Sequence, residues 1–286
     1  MGKVITIASG KGGVGKTIIT AALGLQLGAL GHRTLLIDGD MGLRNLDLVL
    51  GLENEVLYDA IDLASGKCLE SSAILSVADK VDFIAASQRY TWEKLDGHAV
   101  LTLFEDMVED YDYVVVDSPA GRGKGYLFTI KEAAHMLFVV EPTWVSLRDT
   151  DRLMQHCNKK RNWNYSLLLN NFYNGVEPYL AVDQILETLQ PENVAGVLPH
   201  DLAVMAAAQN GMMASLDSHT PFMTAIADVA RSLVDGSEPN LQAMEKLLPK
   251  EDSIIVSVKN NEEVKPSVNS MQQRLRQHSH WRWKRR

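Results

Sequence analysis

Residues 9–17 read Ser9-Gly10-Lys11-Gly12-Gly13-Val14-Gly15-Lys16-Thr17. A glycine, four free positions, then Gly15, Lys16 and Thr17 fit the phosphate-loop pattern. Glycines lack a Cβ, so successive backbone N–H groups can curl around an anion. The expected ligand is a nucleoside triphosphate. Gly10, Lys11, Gly12, Gly13, Val14, Gly15 and Ile18 would lie along it. Lys16 would reach the β- and γ-phosphates, and the Thr17 hydroxyl would take a place on Mg²⁺.

Carboxylates further along the chain suit the same chemistry. Asp38-Gly39-Asp40 follows a short apolar run. One of its carboxylates can support Mg²⁺ and its ligands, while the other orients an attacking water. A solvated turn is the plainer alternative, since Asp-Gly is a common turn pair. Val114-Val115-Val116-Asp117 has the form of a Walker B strand, whose aspartate holds Mg²⁺ directly or through water. Its plainer alternative is a capping aspartate. Ser118-Pro119-Ala120-Gly121 then makes a corner able to sense a γ-phosphate. Lys11 is left over. A second lysine at the loop's start points away from the cradle unless another phosphate or another subunit comes close.

The elements needed to position these groups are legible. Residues 4–8 read as a buried strand and residues 16–30 as a helix ending at Gly31, the strand–loop–helix setting of a phosphate loop. Further apolar runs cover 34–37, 81–84, 113–116, 136–140, 166–169 and 194–198. They end at Asp38, near Ser87, and at Asp117, Glu141, Asn170 and Pro199. Continuous apolar strands separated by helix-length segments predict an α/β fold, with a doubly wound, mostly parallel sheet covered by helices on both faces. Ligands of such sheets bind at the carboxyl ends of the strands, where these polar residues gather.

Composition sets outer limits. The 286 residues are 46% hydrophobic and 22% charged, as in ordinary globular proteins. A net charge of −8 gives the body no bulk attraction for nucleic acid. Cys68 and Cys157 show no metal-type spacing and suggest free thiols in a reducing compartment. The first strand starts directly, so no signal peptide is expected, and no apolar run reaches membrane-span length. A break is expected near Asp235. The organisation predicted is an ATPase domain over 1–235, a linker over 236–270 and a basic tail over 271–286. The tail holds six Lys or Arg and no acid.

The doubled-lysine loop resembles the deviant Walker A loop of a superfamily that includes chromosome-partition, nitrogenase-iron-protein and division-site ATPases. Met41-Gly42-Leu43-Arg44-Asn45-Leu46-Asp47 through Gly51-Leu52-Glu53-Asn54 resembles switch I of the MinD family of division-site ATPases. Asp117-Ser118-Pro119-Ala120-Gly121 resembles its switch II, and Ser146-Leu147-Arg148-Asp149-Thr150-Asp151-Arg152 the start of a helix in its partner surface. Similarity runs from about residue 2 to 235.

The resemblance implies a P-loop NTPase that binds ATP and Mg²⁺, hydrolyses ATP to ADP and phosphate, and forms a homodimer on ATP. Lys11 would cross the interface to the partner's nucleotide, with the logic of an arginine finger in trans. Lys11, Lys16 and Asp40 are then the catalytic candidates, Asp40 positioning the hydrolytic water. Thr17, Asp38 and Asp117 are the metal candidates. Asn170 would bond the adenine, with Pro199 and Asp201 closing the base pocket. Asn45, Asp149 and Asp151 would lie near the dimer or partner surface. The implied partners are a division inhibitor, an ATPase-stimulating protein of the Min type and anionic lipid. The implied location is cytoplasmic, on the inner face of the cell membrane. Three departures are visible: Ile18 replaces a threonine, Arg122-Gly123-Lys124 brings cations after switch II, and Gly211-Met212-Met213 replaces a more polar helix end.

In that family a short amphipathic tail helix enters the lipid interface, and two tails joined by dimerisation bind well where one binds marginally. Here Leu275, Trp281 and Trp283 are the candidate membrane residues. Their apolar stripe is weak, but tryptophans among cations suit a headgroup interface. A solvated basic tail and a nucleic-acid contact are the alternatives. Two other functions compete with septum placement: a partition ATPase acting on DNA and a flagellar-placement ATPase. An electron carrier is disfavoured, because no cysteine lies beside Asp117. A non-hydrolysing nucleotide-bound scaffold also remains open.

Overall fold

A computed structural model of the chain describes residues 2–92, 107–121, 123–131, 133–160, 164–176 and 178–250. Strand β1 (Lys3–Ala8) leads through the glycine loop into helix α1 (Lys16–Ala29), and β2 (Thr34–Asp38) returns to the sheet. Then come the short helices α2 (Leu46–Leu50), α3 (Ala60–Ala64) and α4 (Glu70–Ala73), followed by strands β3 (Ile74–Ala78) and β4 (Val81–Ile84). Beyond these lie β5 (Tyr113–Asp117), α5 (Lys124–Thr129), β6 (His135–Val140) and α6 (Trp144–Lys160). The remainder is β7 (Tyr165–Phe172), α7 (Val182–Leu189), β8 (Val194–Pro199), α8 (Leu202–Gln209), α9 (Pro221–Asp235) and α10 (Leu241–Glu245).

The strands form one sheet of order β3-β4-β2-β5-β1-β6-β7-β8. Every pairing is parallel except the β3–β4 edge hairpin. Along β1, β2 and β5, alternate residues enter opposite cores. Ile5, Ile7, Leu36 and Val115 belong to the cluster under α1 and α9, while Val4, Leu35, Ile37, Val114 and Val116 belong to the cluster under α3. Both faces are dry, which is why the strands read as unbroken apolar runs. The doubly wound α/β fold expected from the sequence is the one observed.

Three details differ from expectation. The edge strand β3 carries half-buried residues in a mixed run and gives no apolar signal. Strand β7 continues past Asn170 to Phe172, with a register irregularity and a left-handed Asn171 (φ 61°). The compact unit extends to Pro249 rather than stopping at residue 235. Met244 on α10 is 1% exposed, its sulfur accepts from the Val197 N–H at 3.3 Å, and Leu248 is buried with it. The first part of the expected linker is therefore sheet covering. Residues 251–286, with Leu275, Trp281 and Trp283, lie outside the described residues.

Candidate nucleotide site

The loop between β1 and α1 is built to meet an anion. Gly15 caps α1 in the left-handed region (φ 92°), and neither a side-chain cap nor an acid stands in the first turn. The free N–H groups and the positive end of the helix dipole face outward together. A Cβ on Gly15 would come within 2.5 Å of Asn170 Nδ2. That close approach allows Asn170 to donate to the Val14 carbonyl at 2.8 Å and so to hold the loop from below.

Lys16 is buried at 8% exposure. Burial lowers its pKa, while the nearby Asp117 and Asp40 charges oppose the shift. A buried ammonium without full compensation is what a polyphosphate would satisfy. Thr17 Oγ1 donates to Asp117 Oδ2 at 2.6 Å. Asp117 Oδ1 is buried and accepts no hydrogen bond. Asp38 lies beside Asp117 in register across β2 and β5. Its carboxylate accepts from the N–H groups of Asp40 (2.9 Å), Asn45 (2.9 Å) and Leu46 (3.0 Å). Burial raises the pKa of both groups. Asp38 raises that of Asp117 further, whereas the three N–H bonds hold back Asp38. Asp40, half-buried near Lys16, is also raised by burial and lowered by the lysine.

Two neighbouring buried carboxyls, Asp117 with one oxygen idle and the other on the Thr17 hydroxyl, and Asp38 held by backbone N–H groups, make a donor set that fits a divalent cation. Among the described residues no group of three or more His, Cys, Asp or Glu could hold a metal unaided. Mg²⁺ keeps waters and phosphate oxygens among its ligands, so few protein oxygens are needed to hold it. The arrangement joins Thr17, Asp38, Asp40 and Asp117 at the carboxyl ends of β2 and β5, as the sequence predicts. Asp38, with both oxygens engaged by backbone, also shapes the loop that carries Asp40.

The model of the CobQ/CobB/MinD/ParA nucleotide binding domain matches residues 5–214. The septum site-determining protein MinD of Thermotoga maritima is 34% identical over 243 residues, which cover 82% of this chain and 88% of that one. The chain belongs to the MinD family. The MinC:MinD cell division protein complex of Aquifex aeolicus superposes with a TM-score of 0.75 at 34% identity, covering 83% of this chain and 97% of that one. MinD of Pyrococcus horikoshii, complexed with Mg-ADP, superposes with a TM-score of 0.72 at 25% identity, covering 82% and 97%. At family level these are nucleotide-binding ATPases of septum placement.

The remaining candidates have distinct surroundings. Lys11, Gly12 and Gly13 are exposed, and Ile18 packs partly against the core. Pro199 is buried at the end of β8. Asp201 caps α8, accepting from the Ala203 N–H at 2.9 Å, and meets the Phe222 N–H at the start of α9 at 3.4 Å. Asn170 Oδ1 is buried without a hydrogen-bond partner. Asn45 is half-buried at the start of α2. Asp149 and Asp151 part company on α6. The Asp149 backbone lies against Gly10, where a Cβ would meet its carbonyl oxygen at 2.6 Å. Asp151 instead lines a surface cavity of about 470 Å³ with Trp144, Arg148 and Leu189. Among the described residues no helix is long and apolar enough to cross a membrane.

Two residues of this MinD-family site were not singled out from sequence. Glu141, the polar end of β6, stands 3.8 Å from Lys11 Nζ through Oε2, and its Oε1 accepts from Asn171 Nδ2 at 2.9 Å. Trp92 backs the Asp40 loop. The run ending near Ser87 was the available signal, because β4 is next to β2 and its continuation must pass that loop.

Proposed function

We propose that this chain is an ATP-dependent dimerising switch that binds anionic membrane, recruits a division inhibitor and resets by hydrolysing ATP to ADP and phosphate. One observation carries the reading: buried Lys16 shares its site with Asp117 and Asp40, while Lys11 stands at the exposed start of the loop. The first three groups suit a triphosphate bound within one subunit. An exposed lysine beside the same loop suits a phosphate offered by a second subunit.

Mg²⁺, when bound by Thr17 and Asp117 with Asp38 behind them, would supply positive charge to the β- and γ-phosphates. Lys16 adds a fixed cation in a desolvated place. Asp40 orients the attacking water by accepting its hydrogen bond. Lys11 leaves Glu141 and reaches across to the twin's nucleotide. The corner at 118–121 is tied to the loop through Ser118 N–H to the Ile7 carbonyl and Gly121 N–H to the Ser9 carbonyl, each 3.1 Å. Those bonds give the corner a way to respond to the γ-phosphate. The Aquifex relative in complex with MinC supports an inhibitor of that type as partner. Location follows the same reading: cytoplasmic, held peripherally at the inner face of the membrane by the paired basic tails.

Sedimentation with anionic vesicles tests the switch. Full-length protein should pellet with ATP but not with ADP or without nucleotide, and protein truncated after Pro266 should stay in solution. Equal pelleting in all three conditions would count against it. Salt-sensitive binding to DNA without lipid binding would favour a partition role instead.

A further inference from the structure

The Gly39–Asp40 peptide is held on both sides. Its N–H, on Asp40, donates to Asp38 Oδ1 at 2.9 Å. Its carbonyl, on Gly39, accepts the indole N–H of Trp92 at 2.8 Å and the nearby Met41 N–H at 3.1 Å. The Gly39 N–H donates in turn to the Asp117 carbonyl at 2.9 Å. A peptide unit is planar and rigid, so fixing its two polar edges fixes the direction in which the Asp40 side chain leaves the backbone. Asp38 and Met41 belong to the loop itself. Trp92 anchors the carbonyl from outside it.

Trp92 is itself firmly placed. It is 4% exposed and packs on Phe128 of α5 with ring centroids 4.4 Å apart. A Cβ on Gly125 would lie 2.3 Å from its Cδ1 and 2.6 Å from its Nε1, so the glycine leaves room for the indole. Parallel contacts run along the same strip. Gly42 N–H donates to the Ser87 carbonyl at 2.7 Å, and the Ser87 N–H meets Met41 Sδ at 3.3 Å. Residues 87–92 thus brace residues 39–42 from behind, and the brace ends at the residue next to Asp40.

We infer that Trp92 is a positioning residue for hydrolysis, acting through the Gly39 carbonyl to aim Asp40 at the attacking water. This rests on the assignment of Asp40 above. Trp92 touches neither nucleotide nor water in this role. It holds the peptide that carries the group which does. Its loss therefore acts on turnover and leaves nucleotide affinity alone, because the loop at 10–17 keeps its own supports.

Trp92→Phe keeps a ring against Phe128 and removes the N–H. Steady-state turnover of full-length protein with ATP and Mg²⁺ should fall roughly 10-fold in kcat, with KM and ADP affinity unchanged. In an Asp40→Asn background the same change should add no further loss, since the group being aimed is gone. Gly125→Ala, whose Cβ would press on the indole and also on Pro119 at 2.8 Å, should lower kcat in the same direction and serves if Trp92→Phe folds poorly, provided that its loss too disappears in the Asp40→Asn background. Unchanged kcat in both single variants overturns the inference, as does an equal loss with and without the Asp40 carboxylate. If Asp40→Asn itself turns over like the unmodified protein, the assignment of Asp40 fails and takes this inference with it.

Discussion

Lys11 Nζ lies 3.8 Å from Glu141 Oε2 within one chain. If Lys11 serves a partner's nucleotide, this ion pair must open whenever a dimer forms. The pair is partly exposed, with Lys11 at 45% and Glu141 at 17%, so its hold is small, at most about 1 kcal/mol. Two such pairs open per dimer, so Glu141→Gln should tighten ATP-dependent dimerisation by at most about 30-fold, read by sedimentation velocity across a concentration series. Weaker dimerisation would mean that Glu141 serves the interface directly.

The paired carboxyls give the nucleotide-free protein an inverted pH dependence. Asp38 and Asp117 both have pKa values raised above the ordinary carboxylate range, chiefly by burial. Their contribution to stability is complete below the unfolded-state pKa of about 4 and is lost as pH climbs through the raised values. The free protein should melt a few degrees higher at pH 6 than at pH 8. Asp117→Asn should remove most of that difference, and Mg²⁺ with ADP should narrow it by favouring the ionised pair. A thermal shift series checks all three, and an unchanged slope in Asp117→Asn would contradict the assignment.

Gly15 offers a sharper test of the loop. Its φ of 92° strains any other residue, and an added Cβ would strike Asn170 Nδ2. Gly15→Ala should abolish measurable ADP binding by calorimetry while circular dichroism remains native. The strain alone costs about 1–3 kcal/mol. Asn170→Leu leaves the buried Val14 carbonyl without its donor and should cost about 1–3 kcal/mol in a denaturant titration.

The sheet and the phosphate site were legible because their signals are local. Buried parallel strands are continuous apolar runs, and the groups at their carboxyl ends meet wherever the strands are neighbours. Glu141 was visible as the end of such a run, but its pairing with Lys11 depends on β6 lying beside β1. Trp92 lies past the end of β4 in a stretch of mixed character, and only the β2–β4 pairing brings it under Gly39. Helix α10 follows the Gly236-Ser237-Glu238-Pro239-Asn240 break, with Met244, and Leu248 just beyond the helix, as the buried contacts in otherwise polar sequence, so composition marked it as linker.

That covering should be felt in stability. Met244→Ala removes a side chain packed over Gly196 and Val197 and should cost about 2–5 kcal/mol by chemical denaturation. Truncation after Asp235 should cost at least as much. A stable protein ending at Asp235 would show that α10 is dispensable.

Everything proposed about the switch depends on two subunits closing over two nucleotides. Sedimentation velocity on Asp40→Asn with saturating ATP and Mg²⁺ measures this directly. The expected result is a dimer with ATP, a monomer with ADP, and a monomer with ATP once Lys11→Ala is added. A monomer in all three samples, or a dimer indifferent to Lys11, would contradict the account.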